Sequence, residues 1–93
     1  MRDIENEIKK LRIAVDLFSD AMKDKLEKKV NKGFRGWDDP LFKTQIISGL
    51  RKHILKDLKS GKTRQMVDVA NLAMMLWWQE FEENTKTSEV ENE

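Results

Sequence analysis

An all-α fold follows from three features of this chain. Charged residues fill 38% of its 93 positions, proline occurs once and glycine four times, and the apolar residues recur at helical rather than alternating spacing. The length allows one domain, and a single copy would bury only roughly 60 to 65% of its unfolded surface. A homodimer or higher homo-oligomer is therefore expected to complete the core.

The first helix is read from about Asp3 to Val30. Ile4, Ile8, Leu11, Val15, Phe18 and Met22 alternate spacings of four and three, the seam of a helix that packs along another helix. Ile13, Ala14, Leu17 and Ala21 widen that seam into a face suited to a bundle with more than one neighbour. Next, NKGFRGW breaks the pattern, because Gly33 and Gly36 weaken a helix and accept positive φ.

In WDDPLFKT, Asp39 is a good N-cap and Pro40 stands at the first helical position, where its missing N–H costs nothing. The second helix should start there, with Leu41, Phe42, Ile46, Ile47, Leu50, Ile54 and Leu58 on one face. It should end at KSGK, with Gly61 left-handed and Thr63 as the N-cap of a third helix. Helices two and three then form an antiparallel hairpin beside a long N-terminal helix.

Helix three, from about Arg64 to Phe81, is apolar almost all round, which marks the central helix. Residues 1–83 are read as one domain, and residues 84–93, NTKTSEVENE after Glu83, as a disordered acidic tail. Met66, Met74, Met75, Trp77 and Trp78 supply large adaptable surfaces, read mostly as core or subunit interface, with Trp78 or Met75 as the chosen interface residues.

No cysteine is present, which excludes disulfides and thiolate metal sites. The charged N-terminus has no apolar run of signal-peptide length, and VDVANLAMMLWW is too short to span a bilayer, so a cytoplasmic protein without a membrane partner is expected. Charge is uneven. Residues 23–64 hold thirteen Lys or Arg against five Asp or Glu, whereas residues 79–93 hold six Glu against one Lys. The middle segment attracts anions and the tail discourages them.

VDVANLAMMLWW, residues 67–78, contains two polar residues, Asp68 and Asn71, three apart on one helix face. Burying a carboxylate there demands a partner. One reading pairs Asp68 with a cation of helix two, Lys52, Lys56 or His53; the other makes it a metal ligand or a substrate contact. Lys32, Arg35, Lys52, His53 and Lys56 are candidates for an anion pocket near the glycine loop, with Trp37 stacking on a base; the alternative is a solvated helix face with Trp37 packed on the bundle. His53 is the single histidine, so a His-rich metal site is excluded within one chain.

KGFRGW and VDVANLAMMLWW also carry a resemblance. The segment from Asn31 to Trp78 resembles the MazG-like all-α nucleoside triphosphate pyrophosphohydrolases, particularly short phage-type and prokaryotic members. The second block, similar to a DVANFAMM-type block, is the more specific. The resemblance implies a MazG-like bundle, and hydrolysis of a nucleoside triphosphate to the monophosphate and pyrophosphate at a Mg²⁺ site. The family builds that site from EExxE on one helix and ExxD on the next. Carried over here, Asp68 takes the place of the Asp, Gln65 that of its Glu, and the EExxE triplet falls at Lys52, His53 and Lys56. Between Pro40 and Asp68 the only carboxylate is Asp57, and lysines at ligand positions would repel Mg²⁺ by a few kcal/mol.

The leading expectation is therefore a degenerate MazG-like protein without the carboxylate cluster, acting by nucleotide or anion binding or by protein assembly. It needs no cofactor. The second reading is a working pyrophosphohydrolase with atypical ligands, for instance Asp57, Asp68 and a Glu from another chain; Mg²⁺, with Asp68 as its ligand, belongs to that reading alone. Weak, salt-sensitive nucleic-acid binding ranks third, because no helix-turn-helix, zinc finger or aromatic-studded strand is evident.

Overall fold

A computed structural model describes the backbone of residues 3–91 and the side chains of residues 3–86. Among the described residues the chain is helical, with α1 at Ile4–Asn31, a 3₁₀ turn at Pro40–Phe42, α2 at Lys43–Ser60 and α3 at Met66–Glu91. None of these helices is long and apolar enough to cross a membrane. The order is the expected one: a long N-terminal helix followed by a helical hairpin.

The helix ends are made by the residues that the local chemistry selects. At the end of α1 the N–H of Phe34 bonds the carbonyl of Lys29 at 3.1 Å and that of Gly33 bonds Val30 at 2.9 Å. This double closure needs a left-handed residue at its centre, and Gly33 supplies it with φ 102°. Asp39 Oδ1 accepts from the N–H of Leu41 at 3.0 Å, and Pro40 opens the 3₁₀ turn that leads into α2. α2 stops at Gly61, whose φ is 70° and whose N–H returns to the Asp57 carbonyl at 2.9 Å.

Three boundaries differ from expectation: α2 begins at Lys43, after the 3₁₀ turn at Pro40–Phe42, rather than at Pro40 itself. α3 begins at Met66 rather than Arg64, and its backbone stays helical to Glu91, ten residues past Phe81. Nothing between Phe81 and Glu91 is Gly or Pro, so a helix nucleated by the packed segment propagates past Phe81, where residues 83–86 are exposed. Of the acidic tail expected to be disordered, residues 84–91 thus have helical backbone, and residues 92 and 93 lie outside the described residues.

α3 is the helix on which both others pack. Its contact with α1 is confined to the C-terminal half of that helix, where Ser19, Met22, Lys25, Leu26 and Lys29 alone escape full exposure. Met22, Lys25 and Lys29 prolong the same three-four seam that begins at Ile4, and Ser19 and Leu26 lie beside it. The upper part of the seam has no cover: Ile4, Ile8, Leu11, Val15 and Phe18 are all exposed, as are Ile13 and Leu17.

The interior is correspondingly thin. Among the described residues the buried apolar side chains are Ile46 and Met75, against four buried polar ones, Asp57, Asp68, Asn71 and Gln79. Met75, one of the two expected interface residues, is therefore spent inside the chain. Trp78 is half-buried and donates its indole N–H to Glu82, while Trp77 stands exposed, its ring stacked on Phe81 with centroids 5.5 Å apart.

Candidate functional site

The two polar residues of the central helix sit where α1 crosses α3. Asp68 is 6% exposed and Asn71 is fully buried. Lys25 donates from Nζ to Asp68 Oδ2 at 2.7 Å, and Lys29 Nζ lies 3.4 Å from Oδ1. One turn further along α3, Asn71 Nδ2 donates to the Met22 carbonyl at 3.3 Å. Contacts from 68 to 25 and 29, and from 71 to 22, place the two helices antiparallel at the crossing.

His53 of α2 completes the group. Its Nδ1 is 2.7 Å from Gln65 Oε1 and 4.0 Å from Asp68 Oδ2, so with Oε1 as the acceptor Nδ1 carries the ring proton. Burial pushes the Asp68 carboxyl upward, but the hydrogen bond from Lys25 and the charges of Lys29 and Lys25 outweigh it, leaving its pKa below the ordinary aspartate value.

Of the three partners expected for Asp68 on helix two, His53 alone comes near, at 4.0 Å. Lys52 and Lys56 are exposed on α2, and the ammonium groups that meet the carboxylate come from α1. A lysine's stem can lie along apolar surface while its head group reaches a buried anion; Lys25 and Lys29 do this from the two seam positions that follow Met22. Their spacing of three and four continues the apolar series, and that is the signal by which the sequence could have pointed to them.

The other sequence candidates scatter. Arg35 and Trp37 line an open, mainly apolar cleft of about 420 Å³ together with Lys29 and the side chains of Phe34, Phe42 and Met75. Lys56 lines a separate hollow at the α2–α3 turn with Asp57, Ser60 and Arg64. Lys32 and Lys52 are exposed and line neither. The expected anion pocket of Lys32, Arg35, Lys52, His53 and Lys56 is not assembled in one place, because Lys52 and Lys56 face solvent while His53 turns inward to Gln65.

Two further polar residues hold the frame. Asp57, 8% exposed near the end of α2, accepts the N–H of Arg64 at Oδ1 and that of Gln65 at Oδ2, at 3.2 and 2.9 Å. It does the capping that Thr63 was expected to do, with a carboxylate placed where the helix dipole favours negative charge. Gln79 Nε2 donates to the carbonyl of Trp37 at 2.7 Å and lies 3.3 Å from that of Asp39. That contact ties the glycine loop to α3.

Among the described residues no three His, Cys, Asp or Glu side chains gather closely enough to hold a metal ion. The donor set around Asp68 does not suit Mg²⁺ either. A hard dication wants several oxygen ligands, and the groups that converge on Asp68 are two ammonium ions and an imidazole. Comparison with protein-family models, curated proteins and solved structures gives no match.

Proposed function

We propose that this chain is a MazG-like helical module that acts by self-assembly, without metal-dependent hydrolysis. The observation that supports it is surface. A folded monomer of 11.0 kDa should expose about 5,600 Å², whereas this chain exposes 8106 Å². Part of the excess of about 2,500 Å² lies on the helical run past Phe81, and the remainder is of the order that one partner gives up in an obligate interface. The radius of gyration agrees: it is 16.7 Å, against about 12 Å for a compact domain of this length.

The composition of that surface points the same way. Large apolar side chains stand exposed on all three helices, among them Leu11 and Leu17 of α1, Leu55 and Leu58 of α2, and Trp77 of α3. With only two apolar residues buried among the described ones, a lone copy has little to set against the entropy of folding. A homo-oligomer supplies the missing core.

The Asp68 environment supports the absence of hydrolysis. Of the positions aligned with the family's ligands only Asp68 is a carboxylate, and its oxygens are held by Lys25 and Lys29. A nucleotide role would require the scattered basic residues to converge, which favours assembly over anion binding.

The test joins two measurements on the full chain. Sedimentation equilibrium at micromolar concentration should give a mass of at least twice 11.0 kDa. Titration with nucleoside triphosphates, with and without Mg²⁺, should give no pyrophosphate. A monomer overturns the assembly reading, and Mg²⁺-dependent pyrophosphate release revives the enzyme.

A further inference from the structure

We infer that two copies of this chain pair antiparallel through the outward face of α3, about a two-fold axis that passes between Ala73 and Met74. The inference rests on the assembly reading and specifies which surface, which partner and which orientation.

The central helix has two apolar-lined sides, and one chain covers only one of them. Successive residues turn by about 100°, so the buried Asp68, Asn71, Met75 and Gln79 share a side of α3. Asp68 and Asn71 meet α1 there, Gln79 meets the glycine loop, and Leu72 at its edge lies against Gly49 of α2. Met66, Ala70, Ala73, Trp77 and Phe81 cluster on the other side, centred about 160° round the helix. Met66, Trp77 and Phe81 are 38%, 61% and 47% exposed, and Ala73 is exposed with them. An amphipathic helix that ends its packing at one face carries charge on the opposite one. These five positions carry none.

Side-chain size selects a second copy as the occupant. Along the stripe the order is Met66, Ala70, Ala73, Trp77, Phe81, with bulk at both ends and alanine between. Turned end for end against itself about the axis at Ala73 and Met74, it sets Met66 against Phe81, Ala70 against Trp77, and Ala73 against Met74. Each ring then meets a small or a flexible partner, and one axial separation of about 8 to 10 Å serves the whole length. A parallel pair in register sets Trp77 on Trp77 and Phe81 on Phe81 while alanines face each other above. Its two ends demand different separations.

Charge selects the same orientation. Lys62 and Arg64 precede α3, and Glu80, Glu82 and Glu83 against Lys86 follow at its far end. Antiparallel pairing brings the basic entry of each copy beside the acidic stretch of the other, whereas parallel pairing sets like against like. The helix dipoles oppose each other in the antiparallel arrangement as well.

An interface of standard size takes about 800 Å² from each partner. The stripe supplies part of that area. Met74 beside it also lines the apolar cleft of Phe34, Trp37 and Phe42, so the surface open to a partner continues beyond α3 itself.

The chain has no cysteine, so introduced thiols report the geometry. Ala73→Cys should give a covalent dimer on oxidation, because the two residue-73 Cα atoms face each other near the axis at about 6 Å. Met66→Cys alone should not cross-link, its two copies being about 22 Å apart along the helix, but a mixture of Met66→Cys and Phe81→Cys should give the 66-to-81 species. A second measurement avoids thiols. Trp77→Asp should raise the dissociation constant by at least about 100-fold, with helicity retained by circular dichroism because Trp77 is exposed within one chain.

The outcomes separate the two readings. A chain that sediments as a monomer overturns both. A dimer in which Ala73→Cys does not cross-link, or which Trp77→Asp leaves intact, overturns α3 pairing while the assembly reading stands. A dimer that cross-links from residue 66 to residue 66, or whose mixed variants give no 66-to-81 species, overturns the antiparallel orientation.

Discussion

Lys25 and Asp68 lie 43 positions apart in the chain and 2.7 Å apart in space, and their contact locks α1 across the central helix. The carboxylate is 8% exposed as a side chain while Lys25 keeps 43% and Lys29 32% of theirs. A buried anion is thus held by two cations that remain partly hydrated. Such a pair is worth less than one fully removed from water, yet removing the anion's partners is costly.

Asp68→Asn keeps the volume and one acceptor but abolishes the charge. The expected loss is about 1 to 2 kcal/mol, between the values for exposed and fully buried pairs. Lys25→Met should cost more than Lys29→Met, because Lys25 makes the shorter contact. Urea unfolding at one fixed protein concentration measures all three; no loss in Asp68→Asn would mean that the pair is idle.

The same pair gives stability a direction with pH. The folded-state pKa of Asp68 is depressed, so its contribution is complete above the unfolded value near 4 and drains away as pH falls through the folded pKa. Unfolding midpoints of the native chain and of Asp68→Asn should converge as the pH is lowered below about 4. A constant gap down to pH 2 would contradict the depressed pKa.

Asp57→Ala strips the cap from α3. Two N–H groups, of Arg64 and Gln65, lose their acceptor, at an expected cost of about 1 to 2 kcal/mol. Asp57→Asn should lose less, since its amide oxygen can still accept one bond. Slowed hydrogen exchange at these two amides in the native chain, lost in Asp57→Ala, would report the cap directly.

Asn71 is fully buried, and its Oδ1 has no hydrogen-bond partner among the described residues. Asn71→Leu removes one half of the contact and leaves the Met22 carbonyl without that donor, so it should destabilise by about 1 kcal/mol, the order of one hydrogen bond. Asn71→Asp places a charge at the same site and should destabilise by about 3 kcal/mol or more. If Leu is the worse of the two, the amide has a role that its present contacts do not explain.

What the sequence determined by itself is everything governed by residues within a turn or two of one another. The three helices, the left-handed glycines at 33 and 61, the Asp39–Pro40 start and the central place of the apolar helix all rest on local rules: positive φ, a missing N–H, a period of 3.6. The run past Phe81 was legible in principle, since no residue there stops a helix.

Tertiary structure decided the partners. Which lysine answers Asp68 depends on where α1 crosses α3, and no local propensity encodes a crossing point. Helix two offered cations nearer in the chain at Lys52 and Lys56, yet those face solvent and α1 supplies the charge. The cap of α3 was decided in the same way, because a hairpin turn brought Asp57 to amides that Thr63 would otherwise have served. Burial is set by the whole chain at once, and here one chain leaves half of its longest seam bare.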